Sequence, residues 1–278
     1  AIELDPRHAR SWYNKGVALF KLNKDEQALE AFNSALEVDT QISGAWYNRG
    51  IILGKMDETE EALASYTKAI EIDPRHAPSW YNKGVVLYKL ERPEEALKAF
   101  GRSAEIDPQH AATWNNKGNT LFKLTRFKEA LKVYDKAIEL KSRHIGAWYN
   151  KGIALFTLAR YKEALDAYGK ALDIHPNHIG AWYHKGIVLY HLDRPEEALK
   201  SYQRALDIDA DHVGAWYNKG LALFKLARYK EALEAFEKAL GLNPGHPDYW
   251  YNKGVVLKKL ARPEEAVQDF KKTLEINP

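Results

Sequence analysis

Cysteine is absent from the 278-residue chain, and methionine occurs once, at Met56. The absence of thiols excludes disulfide frameworks, thiolate metal sites and cysteine nucleophiles. No run approaches the ~18 consecutive apolar residues that a membrane helix needs, and the N-terminus lacks the basic-then-apolar pattern of a signal peptide. We therefore expect a cytoplasmic protein without a membrane partner.

An excess of charge of one sign is also lacking, because 41 basic and 38 acidic residues leave a net charge of only +3. So small an excess argues against a nucleic-acid binder that is driven by electrostatics. The hydrophobic share of 45% and the charged share of 28% are too apolar for a disordered chain. The chain is therefore expected to fold.

Tryptophan, by contrast, is abundant and evenly spaced. The eight tryptophans follow one another at a constant interval of 34 residues, at Trp12, Trp46, Trp80, Trp114, Trp148, Trp182, Trp216 and Trp250. A constant interval without insertions predicts one supersecondary unit that is copied along the chain. Starting each repeat three residues before its tryptophan gives the ranges 9–42, 43–76, 77–110, 111–144, 145–178, 179–212, 213–246 and 247–278, which we number as places 1–34. Residues 1–8 match the end of a truncated preceding repeat.

Within each repeat the apolar residues follow a helical period twice. In the first half, Trp12, Gly16 and Leu19 share one face at i, i+4 and i+7, and in a second half Ala96 and Phe100 do the same. Strand signals are absent, so the sequence predicts an all-α chain of helix pairs.

Glycine recurs at place 8 of all eight repeats, at Gly16, Gly50, Gly84, Gly118, Gly152, Gly186, Gly220 and Gly254. A glycine inside a helix costs ~0.5–1 kcal/mol relative to alanine, so its return requires a reason. We expect the paired helices to cross closely there, with the aromatic residue of place 24 filling the adjacent space.

These residues resemble the tetratricopeptide-repeat family, whose 34-residue pattern contains Trp, Leu-Gly, Tyr, Ala, Phe, Ala and Pro. Two departures stand out: the residue before the glycine is always basic, and Thr40, Ser142 and Ala210 replace the closing proline. The resemblance implies an all-α solenoid of eight repeats that forms a right-handed superhelix, with first helices lining a concave groove. It also implies a protein–protein interaction scaffold.

A helical wheel with the core at places 4, 8 and 11 assigns places 2, 5, 6, 9 and 13 to the groove. The predicted peptide-binding residues are Tyr13, Asn14, Tyr47, Asn48, Tyr81, Asn82, Asn115, Asn116, Asn119, Lys123, Tyr149, Asn150, Tyr183, His184, Tyr217, Asn218, Tyr251 and Asn252. An asparagine amide carries a donor and an acceptor, which match the backbone of an extended peptide. The ladder is similar to that of the tetratricopeptide domain of O-GlcNAc transferase. In the alternative interpretation, the asparagines bridge neighbouring first helices.

Charge is divided unequally within the repeats. The first fourteen places hold sixteen Lys and Arg and one acid, Asp248, whereas the remaining residues hold 25 basic and 37 acidic residues. This division favours an acidic ligand, although two oppositely charged faces could simply improve solubility. The carboxylate clamp of some family members is absent, but Asn115, Asn116, Asn119 and Lys123 predict a specificity point in repeat four.

No constellation of catalytic or metal-binding residues is recognisable. Seven of the ten histidines lie at repeat junctions, and His184 and His191 are i, i+7 neighbours about 10 Å apart, too far to share one zinc ion. We expect no catalytic residue, no metal and no cofactor. The partner is expected to be an extended, acidic peptide or protein segment, and nucleic acid is the weakest alternative.

Two other hypotheses stay open. The chain could be the substrate-selecting arm of a larger enzyme such as a glycosyltransferase, or a self-associating structural spacer. Apolar residues near both ends, including Ile2, Leu4 and Leu274, favour end-to-end self-association.

Overall fold

A computed structural model describes residues 7–277, so the predicted truncated repeat at 1–8 lies outside the described residues except for its last two. Residues 7–277 form sixteen α-helices and no strand, an all-α solenoid of eight helix pairs. The chain divides into an N-terminal unit, residues 1–142, and a C-terminal unit, residues 143–278. None of the described helices has the length and apolar character that would carry it across a membrane.

The helix bounds follow the 34-residue interval. The N-terminal unit contains α1 (Ala9–Lys21), α2 (Asp25–Val38), α3 (Ser43–Lys55), α4 (Thr59–Ile72), α5 (Ala77–Lys89), α6 (Pro93–Ile106), α7 (Ala111–Lys123) and α8 (Phe127–Leu140). The C-terminal unit contains α9 (Ile145–Thr157), α10 (Tyr161–Ile174), α11 (Ile179–His191), α12 (Pro195–Ile208), α13 (Val213–Lys225), α14 (Tyr229–Leu242), α15 (Pro247–Lys259) and α16 (Pro263–Ile276). Odd-numbered helices are the first helices of their repeats.

The close helix crossing expected at place 8 is present in the structure. A Cβ atom added to Gly16 would lie 2.7 Å from Cδ1 of Phe32, and one added to Gly152 would lie 2.6 Å from Cε1 of Tyr168. Those contacts are shorter than carbon atoms tolerate. The two aromatic rings, both fully buried, occupy the space that the missing side chains leave.

The buried face of the first helices is broader than the wheel predicted. Ala45 and Ile52, at places 3 and 10, are 0% exposed, whereas Trp46 at place 4 is only half-buried. The reason is that α3 packs on α4 of its own repeat and also on α2 of the preceding one. A wheel with a single core direction misses the second of these contacts.

The turn between the two helices has the same backbone in every repeat. Its place-15 residue has a positive φ of 54° to 64°, at Asn23, Asp57, Glu91, Thr125, Ala159, Asp193, Ala227 and Ala261. The next backbone N–H then donates to the carbonyl of place 11, as from Lys24 to Leu19 at 3.0 Å, which closes the end of the first helix.

Within each unit, tryptophan and histidine side chains form hydrogen bonds at most of the junctions between repeats, although Ile42 takes the place of the histidine at the first one. The Trp46 indole N–H donates to the backbone carbonyl of Thr40, and that of Trp80 donates to the carbonyl of Pro74, at 2.9 and 3.0 Å. Because the acceptor belongs to the backbone, replacement of the closing proline does not remove this bond. A histidine at place 34 precedes the next first helix, and Nδ1 of His178 accepts from the backbone N–H of Ala181 at 3.1 Å.

Candidate peptide-binding site

The place-5 and place-6 side chains of neighbouring repeats are hydrogen-bonded to each other. We call each pair a rung: the amide or imidazole of one repeat bonded to the tyrosine hydroxyl of the repeat before it. The rungs are Asn82–Tyr47 (3.5 Å) and Asn116–Tyr81 (3.0 Å) in the N-terminal unit, and His184–Tyr149 (3.2 Å), Asn218–Tyr183 (3.1 Å) and Asn252–Tyr217 (3.0 Å) in the C-terminal unit.

At two rungs the tyrosine hydroxyl lies against a glycine at place 2 of the next repeat, whereas Pro78, Ala112 and Asp248 occupy place 2 at the other three. A Cβ atom on Gly214 would lie 2.8 Å from the hydroxyl of Tyr183, and one on Gly180 would lie 2.8 Å from the hydroxyl of Tyr149. The Tyr183 ring also packs between Tyr202 and His212, with centroid distances of 6.3 and 4.7 Å. The hydroxyl is therefore fixed in position before any ligand arrives.

Because of the rungs, the donor and acceptor groups left for a ligand differ from those that the sequence predicted. Nδ2 of Asn218 donates to the Tyr183 hydroxyl and to the carbonyl of Gly214, at 3.1 and 2.9 Å. The amide donors that the sequence assigned to a ligand are thus used within the protein, at this rung and at Asn252. Among the described residues, the Tyr183 phenolic O–H and the Asn218 carboxamide oxygen have no further partner. Burial raises the pKa of Tyr183, so the phenol keeps its proton at neutral pH.

His184 replaces asparagine in one rung, where its Nδ1 lies near both the Tyr149 hydroxyl and the Gly180 carbonyl but has only one proton to donate. Nδ1 of His184 lies 2.8 Å from the carbonyl oxygen of Gly180, so Nδ1 carries the proton and donates it there. Burial lowers the pKa of His184, which favours the neutral ring. Nε2 is then an acceptor, as the carboxamide oxygen is in the other rungs.

The polar cluster predicted in repeat four is largely bonded within the protein. Asn115 is 8% exposed, and its amide donates to Oδ1 of Asn116 at 3.2 Å. Oδ1 of Asn119 accepts from the hydroxyl of Tyr134 at 2.9 Å. Lys123 forms an ion pair with Glu91.

The remaining predicted residues differ in exposure. Asn14 in α1 is exposed, and Tyr251 in α15 is 52% exposed. Tyr13, Asn48 and Asn150 are half-buried.

The basic residues of the first helices are mostly partnered. At place 13, Lys55 pairs with Asp25 (3.0 Å), Lys89 with Asp57 (2.7 Å) and Lys225 with Asp193 (2.5 Å), each carboxylate belonging to the preceding repeat. The place-7 cations lie 4.8 to 5.6 Å from the tryptophan ring centroids of their own repeats, at Lys15, Arg49, Lys83, Lys117, Lys151, Lys185, Lys219 and Lys253. The positive charge of the first helices is therefore partly neutralised by contacts within the chain.

One rung borders a cavity. In the N-terminal unit, a cavity of about 270 Å³ is lined by Tyr47, Asn82 and Tyr81 together with Pro78 and His110 among others. This cavity places phenol and carboxamide groups beside space that a side chain can enter.

The junction histidines were not predicted to take part in the site, yet they contact its tyrosines. His76 lies against Tyr47, and His110 against Tyr81, with centroid distances of 4.8 and 5.0 Å. The signal in the sequence was the return of histidine at place 34. Within residues 7–277, no group of histidine and carboxylate side chains could hold a metal ion.

Comparison with known proteins identifies the family. Tetratricopeptide-repeat models match residues 9–40, 43–76, 77–110, 213–246 and 247–278, and a second such model matches 109–177 and 143–211. These matches indicate no catalytic family. Among the curated proteins, none matches the chain significantly.

Solved structures agree with this assignment. YrrB, described as a tetratricopeptide-repeat protein with an unusual peptide-binding site, is 32% identical over 66% of this chain and 94% of its own, with a TM-score of 0.58. MamA from Desulfovibrio magneticus is 26% identical over 60% of this chain and 94% of its own, with a TM-score of 0.58. A protein from Parabacteroides merdae shares the fold, at 16% identity over 96% of this chain and 98% of its own, with a TM-score of 0.65. The chain belongs to the tetratricopeptide-repeat family.

Proposed function

We propose that this protein is an interaction scaffold that holds an extended peptide segment along the rungs of its first helices. The observation that carries the proposal is that two groups of a rung are left without a bond inside the described part of the protein: one donor, the phenolic O–H, and one acceptor, the carboxamide oxygen. The backbone of an extended peptide presents the complementary pair at each residue. The peptide-binding site named for YrrB supports this use of the fold.

The spacing of the rungs also suits an extended chain. Neighbouring first helices are separated by one helix diameter, ~10 Å. An extended peptide rises ~3.3 Å per residue, so a rung would meet every third residue of the peptide. The rungs in each unit are already bonded in place, which reduces the entropy lost on binding. In our proposal Tyr183 and Asn218 contact ligand backbone, and the half-buried aliphatic residues of place 9, such as Ile187, contact its side chains.

An acidic ligand is the finer part of the proposal, and the ion pairs of place 13 limit it. Lys55, Lys89 and Lys225 already have carboxylate partners, so we expect backbone contacts to contribute more than charge. Binding should accordingly weaken only modestly between 50 and 200 mM salt, because exposed ion pairs contribute about 0–1 kcal/mol each.

The test is a screen of a displayed library of 12-residue peptides against the full chain, followed by fluorescence anisotropy on the best binder. Replacing the backbone amides of that peptide one at a time by N-methyl amides should weaken binding about tenfold at every third position, because each methyl removes one donor. Tyr183→Phe combined with Tyr217→Phe should weaken binding as well. Tyr168→Phe, which removes a buried hydroxyl outside the rungs, is the matched control. Equal affinity for all N-methylated peptides would refute backbone recognition.

A structural spacer is the second candidate, because the rungs also join neighbouring repeats. Exposed Val267 (51%) and Leu274 (65%) on α16 favour self-association of such a spacer. Sedimentation velocity over a hundredfold range of concentration tests this; a strict monomer with a peptide ligand supports the first proposal.

A further inference from the structure

A surface cavity in the C-terminal unit departs from the repeat pattern. It measures about 780 Å³ and is lined by Trp216, Ala210 and Asp211 at one junction and by Glu234, Glu237, Lys238, Gly241 and Leu242 of α14. Its volume lies in the range of about 300–1,000 Å³ that is usual for ligand pockets. It shares no residue with the rungs.

Gly241 is the clearest break in the pattern. Place 29 is acidic in the other seven repeats, at Glu37, Glu71, Glu105, Glu139, Asp173, Asp207 and Glu275. A Cβ atom on Gly241 would have no neighbour within 4 Å, so packing does not require the glycine. Glycine here lowers helix propensity relative to alanine, without a compensating contact. Its effect is to leave open space beside the cavity lining.

The same change alters the charges around the cavity. In five other repeats the place-29 acid pairs with a cation three residues before it, as in Lys136–Glu139 (3.0 Å) and Lys272–Glu275 (2.6 Å). In α14 the cation, Lys238, has no such partner. Within the described residues, Asp211, Glu234 and Glu237 form no ion pair within 4 Å, although Lys219 and Arg262 interact electrostatically with Glu234 and Glu237 from outside the lining. Three carboxylates and one ammonium give the lining a formal charge of −2.

The lining combines this negative charge with an apolar floor. Trp216 is half-buried, Leu242 is 39% exposed and Ala210 adds no polar side chain. Lys219 already lies over the Trp216 ring, 4.8 Å from its centroid, so a ligand would meet the part of the ring that borders the cavity. The ligand that fits is therefore a cation on a long apolar stem.

We propose that this cavity binds an arginine side chain of a partner segment, as a second interaction site independent of the rungs. The aliphatic stem packs on Trp216 and Leu242, and the guanidinium bonds to the carboxylates of Asp211, Glu234 and Glu237. Guanidinium is planar, is weakly hydrated for a cation and donates in pairs to carboxylates, which distinguishes it from the ammonium of lysine.

The test follows the indole N–H signal of Trp216 in ¹H–¹⁵N spectra of the full chain, assigned with Trp216→Phe. Titration with N-acetylarginine methylamide should shift this signal to saturation. N-acetylcitrulline methylamide, an uncharged isostere, should bind about tenfold more weakly, because a hydrogen bond to a charged group contributes more than a neutral one. Equal shifts with both compounds, or no shift, would overturn the proposal.

Gly241→Glu provides a variant that we expect to fold, because glutamate favours the helix more than glycine and a Cβ atom there meets no neighbour within 4 Å. It restores the acid of the other repeats, pairs with Lys238 and occupies the open space, so the thermal midpoint should rise while the arginine-dependent shift is lost. Gly101→Glu is the matched control, because Gly101 is also a helical glycine whose Cβ would have no neighbour within 4 Å. It should leave the shift unchanged. Retention of the arginine-dependent shift in Gly241→Glu would contradict the assignment.

Discussion

Two buried tyrosines in equivalent positions provide a controlled measurement of one hydrogen bond. Tyr134 and Tyr168 are 1% and 0% exposed, and both occupy place 24. The Tyr134 hydroxyl donates to Oδ1 of Asn119 at 2.9 Å, whereas the Tyr168 hydroxyl has no hydrogen-bond partner within residues 7–277. The difference arises because place 9, fifteen residues earlier, is asparagine in one repeat and Ile153 in the other.

The substitutions Tyr134→Phe and Tyr168→Phe should therefore have opposite effects. Loss of the bonded hydroxyl should lower the free energy of unfolding by ~1 kcal/mol, because a net hydrogen bond is lost and an acceptor is left behind. Loss of the unbonded hydroxyl should raise it by ~1 kcal/mol, because its desolvation is no longer opposed by folding. Burial raises the pKa of both phenols, so neither ionises in the assay range.

The assay is urea unfolding followed by circular dichroism, fitted with a nearest-neighbour repeat model because long arrays depart from two-state behaviour. A double-mutant cycle of Asn119→Ile with Tyr134→Phe should give a coupling of about 1 kcal/mol. The same cycle with Ile153→Val and Tyr168→Phe should give a coupling near zero. Destabilisation by Tyr168→Phe as large as that by Tyr134→Phe would refute the reasoning.

Three further predictions concern pH, packing and backbone conformation. Burial lowers the pKa of His184 and His178 below the ordinary value of 6.5. The neutral rings therefore stabilise the fold fully above pH 6.5, and this contribution is lost as the pH falls below that value. The substitution His184→Asn should reduce the loss of thermal stability between pH 7.5 and 5.0, whereas His191→Asn, at an exposed position, should not. Gly152→Ala should lower the free energy of unfolding by about 1–3 kcal/mol, because the added methyl group collides with Tyr168. Gly169→Ala should raise the free energy of unfolding by about 1 kcal/mol, because its methyl group meets open space, and urea titration measures both changes. Ala227→Gly should stabilise by ~1 kcal/mol, because Ala227 has a φ of 57°, a region that alanine rarely adopts; an unchanged unfolding midpoint would contradict this.

The helix pairs could be predicted from the sequence because each repeat carries its own period and its own spacing residues. Gly16 and Phe32 are an example: the interval between them predicts a close crossing, and the structure confirms it. The family and the all-α solenoid are confirmed on the same residues. Three expectations stay predictions: the right-handed superhelix, the concave groove, and the peptide-binding role of the tyrosines and asparagines at places 5 and 6.

The hydrogen bonds of the asparagines match the alternative interpretation, in which they bridge neighbouring first helices, and the sequence of one helix could not decide between the two interpretations. Whether Asn218 points its amide to a ligand or to Tyr183 depends on the distance between two helices that are 35 residues apart in sequence. The Tyr183 hydroxyl lies against Gly214 at this rung, but Asn252 bonds to Tyr217 at 3.0 Å with Asp248 at the equivalent place, so the glycine alone does not set the separation. The sequence pattern of one repeat gives the side chains on a helix, but it does not give the distance from that helix to the next one.

The hydrogen-bonded indoles provide a set of built-in spectroscopic reporters. Trp46, Trp80 and Trp114 donate to backbone carbonyls within their own junctions, as do Trp182, Trp216 and Trp250. Solvent exchange of each indole proton therefore measures the opening of one junction at a time. A single labelled sample would give a residue-by-residue profile of fraying along the chain, without any introduced dye.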